Sequence, residues 1–217
     1  MVQNSRFNET DEKKIVVIGV GDCGRNIVNS VAEENVGKAD YLMIDTDQNA
    51  LDKCKKIDSL LIGNDFLFGN SANGVPDKGQ KAAEKDVDII SDALSGYDMA
   101  VSVCGMGGGT GTGASPVIAQ IANKLGILVV GVAAMPFTFE GRVKTCNAAV
   151  GVQNFKDYAA NVIEFSNDAV LHLVDKETYV EDTCKKADEF IKKAVEDIID
   201  IVNMPTFSLP KKPSSVD

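Results

Sequence analysis

Residues 105–116 read GMGGGTGTGASP, with five glycines and two threonines between positions 107 and 113, directly after the apolar run MAVSVC. Gly107, Gly108, Gly109, Gly111 and Gly113 can adopt positive φ and carry successive backbone N–H groups round a concave anion nest, while Thr110 and Thr112 add hydroxyls. No Lys-Ser or Lys-Thr follows, which excludes a Walker loop. A second stretch, GVGDCGRN at 19–26, spaces Gly19, Gly21 and Gly24 as GxGxxG after another apolar run. That spacing suits a tight turn, close backbone approach to a phosphate, and a helix N-terminus whose free amides favour an anion. By itself it also fits a plain strand-to-helix turn.

Both loops need strands before them and helices after them. Short continuous apolar runs at 14–20, 41–47, 59–63, 99–105, 127–135 and 161–165 have the character of strands buried on both faces of a parallel sheet. Apolar spacing and Gly or Pro stops predict helices at about 24–35, 79–95, 113–125, 143–158 and 177–203, with Pro116 early in its helix. The alternation predicts an α/β fold with a doubly wound, mostly parallel, Rossmann-like sheet and a long C-terminal helix. In such a sheet two phosphate-cradling loops at strand carboxyl ends converge on one crevice, so the ligand expected is a di- or triphosphate. Dinucleotide-dependent dehydrogenases compete for the first loop, with MIDTD supplying an acid for a ribose, but they lack a second loop of this kind.

In the last helix Val180, Ala187, Ala194 and Ile201 recur every seven residues, flanked by Cys184, Ile191 and Ile198, which predicts one apolar stripe. Lys185, Lys186, Glu189, Lys192, Lys193, Glu196, Asp197 and Asp200 are expected on a solvated face. The organisation expected is a tail at 1–13, one domain at 14–204 and a Pro-rich tail at 205–217. A net charge of −10 opposes nucleic acid and anionic membrane as partners. Five scattered cysteines and one histidine argue against a disulfide framework or a zinc site and for a reducing cytoplasm. No apolar run reaches the length of a membrane span, and the polar start is unlike a signal peptide.

The run GMGGGTGTGASP resembles the tubulin signature as it appears in FtsZ, the prokaryotic tubulin homologue that forms the division ring. VIGVG, GRN, DTDQNAL, MPFTFEGR, SND and ADEFIKKAV follow that family's order, so the resemblance covers about residues 13–205. It implies a nucleotide-binding domain for GTP or GDP, with Mg²⁺ held mainly by the phosphates. It places Gly21, Asp22, Cys23, Gly24, Arg25 and Asn26 at the phosphates, Asn26 also near the base, and Gly107, Gly108, Gly109, Thr110 and Gly111 round the terminal phosphates. Glu140 matches the ribose contact, and Lys144 stands where a base-contacting Arg is usual. Asp188 matches the residue that reads guanine; a carboxylate accepts from N1–H and N2–H₂ together, a pair adenine lacks. The loops DTDQ at 45–48, with Asp47, and NSANG at 70–74, with Ala72 and Asn73, would lie near the γ-phosphate and its metal and act as nucleotide sensors.

Three departures bear on function. Asp22, Cys23 and Arg25 interrupt a loop that is almost all glycine in the family, and a carboxylate there repels a triphosphate unless Arg25, a cation or an outward rotamer offsets it. Cys184 replaces the aromatic residue often stacked on the base. After the last helix, Leu209, Pro210, Lys211 and Lys212 stand where the family carries the acid that completes a neighbouring subunit's GTPase site. The expectation is guanine-nucleotide binding with little turnover by this chain alone and no ordinary protofilaments. Full-length FtsZ, or the chain itself as a homodimer, is the partner expected. Two alternatives stand beside it: a GTPase whose acid comes from a partner subunit, and an interaction module that needs no nucleotide. The charged outer face of the last helix also leads to the expectation of a chain that stops here, without a second domain.

Overall fold

The computed structural model describes residues 13–34, 37–54, 56–175 and 178–204. Among these, six parallel strands form one sheet in the order β3-β2-β1-β4-β5-β6: β1 Ile15–Val20, β2 Asp40–Asp45, β3 Asp58–Leu61, β4 Met99–Gly105, β5 Leu128–Met135 and β6 Asn161–Ser166. The helices are α1 Gly21–Glu34, α2 Gln48–Leu51, α3 Asn64–Leu67, α4 Pro76–Lys85, α5 Val87–Leu94, α6 Thr110–Lys124, α7 Arg142–Lys156, α8 Asn167–Val170 and α9 Val180–Asn203, with a 3₁₀ turn at Thr138–Glu140. This is the doubly wound α/β architecture that the alternation of apolar runs predicts.

The continuous apolar strands have a direct cause. In β1, Val16, Ile18 and Val20 enter the core under α4, α5, α6 and α7, whereas Ile15 and Val17 enter the core under α1 and α9. Both faces are covered, so neither can be polar. β1 lies between β2 and β4, with Val17 in register with Tyr41 on one side and Val101 on the other. The chain winds outward from β1 to β3, then crosses to β4 and winds the other way. The strand order therefore reverses between β1 and β4.

Several helix boundaries differ from the sequence reading. The helix expected at 79–95 starts at Pro76, a residue suited to the first turn, and breaks at Asp86 (φ −104°, ψ 28°), whose carboxylate accepts from Gly63 N at 2.5 Å. The helix expected from 113 starts at Thr110, so Pro116 falls in its second turn rather than its first. Thr112 O thereby loses its usual helical donor and faces Gly151 of α7. Of the five glycines between 107 and 113, Gly107 alone has positive φ. Gly113 serves close packing instead, because a Cβ there would lie 2.0 Å from Pro76 O of α4.

The stripe on α9 is also corrected. Its buried row is Thr183, Ala187, Ile191, Val195, Ile199 and Val202, while Val180 and Ile201 are exposed. A seven-residue spacing drifts by about 20° per repeat on a straight helix, which carries both ends of the expected row off the core. Glu196, expected on the solvated face, is buried beside Lys192 and Lys193, and Lys192 also pairs with Glu34 of α1. The expected tails lie outside the described residues except Lys13, whose Nζ donates to Val202 O at 2.9 Å. Among the described residues no helix is long and apolar enough to cross a membrane, no group of three or more His, Cys, Asp or Glu could hold a metal, and the cysteines are free.

Gly113→Ala is expected to destabilise the chain by about 1–3 kcal/mol, since overlap with the α4 backbone outweighs the roughly 1 kcal/mol gain in helix propensity. Thermal denaturation checks this, with a loss of several degrees expected.

Candidate functional site

β1 passes into α1 at Gly21, whose φ of 70° makes the turn. β4 ends at Gly105, and the turn through Gly107 (φ 100°) leads into α6 at Thr110. Gly107 N donates to Thr112 Oγ1 at 2.7 Å, which ties the loop to the helix it opens. The two helix starts abut, so that a Cβ on Gly21 would come within 3.0 Å of Gly111 N. Each presents amides without intrahelical partners and the positive end of a helix dipole. Together they form the floor of a cavity of about 620 Å³ at the carboxyl ends of β1 and β4.

Gly21, Asp22, Cys23, Asn26, Gly108, Gly109, Thr110, Gly111, Glu140, Lys144 and Asp188 all line this cavity. Six other residues singled out in the sequence do not line it. Gly24 is buried where a Cβ would lie 2.2 Å from Val103 O, so it sets the packing of α1 on β4. Arg25 Nη2 donates to Asp22 Oδ1 at 2.9 Å, and the Asp22 side chain is 76% exposed. The repulsion feared from that carboxylate is therefore offset by an ion pair, although Asp22 itself stays on the cavity wall. Asp47 caps α2, accepting from Asn49 N at 2.9 Å. Ala72 is buried, Asn73 is exposed at φ 51°, and Gly107 serves the turn.

From the stretches 45–48 and 70–74 it is Asp45, Ser71 and Gly74 that line the cavity, and Phe139 and Asn167 line it without having been singled out. Asp45 ends β2 and is 3% exposed; its Oδ1 accepts from Thr46 N at 2.7 Å, whereas Oδ2 makes no well-formed hydrogen bond. Burial holds its carboxyl above the ordinary range, with the Thr46 and Asp47 amides and the neighbouring Thr110 hydroxyl pulling the other way. The signal for it was its place at a strand end in MIDTD. Thr46 joins three segments: its Oγ1 accepts from Ala72 N at 3.1 Å and lies 2.9 Å from Thr110 Oγ1. With Thr46 donating, the Thr110 hydroxyl proton is left for Asp45 or for a ligand.

At the far wall, Glu140 orders its own turn. Its Oε1 accepts from Phe137 N and its Oε2 pairs with Lys144 Nζ, both at 2.8 Å. Asp188 stands on α9, and burial pushes its carboxyl up to about 6. Cys184, one turn earlier, and Cys23 opposite are also pushed up, chiefly by burial and then by the charge of Asp188. Such a cavity can hold an anion on backbone amides at one end and a planar donor pair on a carboxylate at the other.

A model of the Tubulin/FtsZ family, GTPase domain, matches residues 14–175. FtsZ of M. jannaschii, solved as an empty dimer, is 32% identical, with a TM-score of 0.86 over 91% of this chain and 58% of that one. CetZ1 from Haloferax volcanii, solved as a GDP-bound monomer, is 26% identical, with a TM-score of 0.76 over 88% of this chain and 63% of that one. CetZ2 from Haloferax volcanii, solved as a GTPγS-bound protofilament, shares the fold at 22% identity, with a TM-score of 0.77 over 89% of this chain and 60% of that one. The chain thus spans 58% to 63% of the length of these three structures.

Because the folded value for Asp188 lies above its ordinary one, the stability it contributes is complete at low pH and is lost as pH rises through about 6. The ligand-free wild type is expected to lose melting temperature from about pH 4 to about pH 6 relative to Asp188→Asn, whose profile is flatter; calorimetry at several pH values measures the difference. Thr46→Val keeps the shape but leaves the buried Ala72 N–H without an acceptor. Denaturant titration should show a loss of about 1–3 kcal/mol.

Proposed function

The chain belongs to the Tubulin/FtsZ family through its GTPase domain, and from that membership we propose that it binds GTP or GDP in the cavity between β1 and β4. The observation that carries this reading is the abutment of the α1 and α6 N-termini under a cavity whose other wall holds Asp188. The amides of Gly108, Gly109, Thr110 and Gly111 take the terminal phosphates, and those of Gly21, Asp22 and Cys23 take the inner ones. Asp188 accepts from the guanine edge, and Glu140 and Lys144 flank the ribose and base. This assignment prefers guanine because adenine would leave the buried carboxylate without donors.

The residues present suit a magnesium nucleotide. Among the described residues the cavity wall carries Asp22, Asp45, Glu140 and Asp188 against the single cation Lys144, so charge on the phosphates must be met by amides and by a metal. Bound Mg²⁺ supplies that neutralisation, and Asp45, with its open Oδ2, is the residue that would hold the hydrated ion beside the phosphates. Thr46 then links that end of β2 to the loop around Ala72, which suits a sensor of the terminal phosphate.

Hydrolysis by the chain alone is expected to be slow. The stretch after α9 lies outside the described residues, and Leu209, Pro210, Lys211 and Lys212 stand where the family's resemblance would put the acid, none of which can order an attacking water. We assign the chain to a tubulin-like division or cytoskeletal system in the cytoplasm, acting on full-length FtsZ or paired with itself.

Calorimetric titration with GDP, GTP and ADP tests the binding. Micromolar or tighter affinity is expected for the guanine nucleotides and at least 100-fold weaker affinity for ADP, and Asp188→Ala should erase the preference. Phosphate release from GTP should stay near background for the chain alone. Fast turnover that Thr110→Ala abolishes would overturn the slow-hydrolysis reading, and a rise only on adding full-length FtsZ would favour an acid supplied by the partner.

A further inference from the structure

We infer that Phe139 is the stacking platform for the nucleobase, taking the role that a residue on α9 cannot fill because Cys184 stands there. The inference rests on the nucleotide assignment above and adds a residue to it. Phe139 is 57% exposed, yet it lines the cavity that also holds Cys184 and Asp188. The ring therefore offers a free face to that cavity.

What holds the ring in place is on its other face. Phe137 stacks on it, with ring centroids 4.8 Å apart and an interplanar angle of 15°. Phe137 is 2% exposed and is packed with Val170 and Ala187, with Cys184 against the same small cluster. The turn between the two rings is closed by the Glu140 carboxylate on Phe137 N, and Lys144 holds that carboxylate from α7. The platform is thus ordered before any ligand arrives, so little freedom is lost when a base settles on it.

The two recognition elements differ in kind. Asp188 reads the edge of a planar ring and so selects guanine. Phe139 offers a face, which any base can use, and so contributes affinity without selecting among bases. A thiol at 184 has no comparable face, whereas the residue at 139 reaches the cavity from the β5–α7 connection, on a different element.

The test uses the full chain and GDP. Phe139→Ala is expected to weaken GDP binding roughly ten-fold by calorimetry, and Phe139→Tyr to retain wild-type affinity. The chain contains no tryptophan, so Phe139→Trp introduces a single reporter whose emission should fall as GDP saturates the site. Circular dichroism spectra that match across the variants would show that the loss is local. If the wild type binds GDP and Phe139→Ala binds it equally, or if the tryptophan emission ignores saturating GDP, the platform is overturned while the nucleotide site stands. A wild type that binds no guanine nucleotide overturns both.

Discussion

The parallel pairing of β1 with β4 is the constraint on which the rest depends. Val20 and Cys104 are in register at the ends of these two strands, so the backbone leaves the sheet at the same level in both. Each strand is followed by a helix, and the crevice between them is where the winding direction reverses. No helix can cover that opening, because the helices after β1 and β4 go to opposite faces of the sheet. Two helix N-termini are left side by side with unpaired amides pointing into one space. The requirement for small residues at Gly21 and Gly111 follows, since a side chain on either would separate the two starts or drive α6 away from Gly105.

An acidic chain that holds an anion must do so without a patch of cations. The cavity wall is richer in carboxylates than in amines, and the one arginine in the first loop is spent on Asp22. Backbone amides escape this difficulty because they carry no net charge and cost nothing in self-repulsion elsewhere on the surface. The acids are also separated in purpose by their surroundings. Asp22 is paired with Arg25, Glu140 is committed to its turn and to Lys144, Asp45 is buried with one oxygen unpartnered, and Asp188 is partly buried with an elevated pKa.

The glycine-rich run shows how one composition can serve several physical ends. The run could be taken as a nest in which each glycine supplies backbone freedom. In the fold only Gly107 uses a positive φ, whereas Gly109, Gly111 and Gly113 are small because α4, the 71–75 loop and β4 come too close for a Cβ. Its threonines are likewise structural at first contact: Thr112 fixes the turn and Thr110 meets Thr46. The loop is therefore held by the segments around it, and a change at α4 or at residue 46 reaches the proposed phosphate site without touching a ligand.

From its residues alone this chain declared an α/β sheet, the two glycine loops at strand ends, and the family to which they belong. Those features are local: continuous apolar strands, GxGxxG spacing and a seven-residue signature are written in consecutive positions. The tertiary structure decided what depends on direction. It turned Asp45 rather than Asp47 to the cavity, since β2 ends at Asp45 and the chain has already turned into α2 at Asp47, whose carboxylate caps that helix. It moved the buried row of α9 by a fraction of a turn, because helix phase is set by the neighbour it packs on and accumulates over 24 residues. It also brought Phe139 and Cys184 to one cavity across 45 positions of sequence, because the β5–α7 turn and α9 meet over the core that holds Phe137.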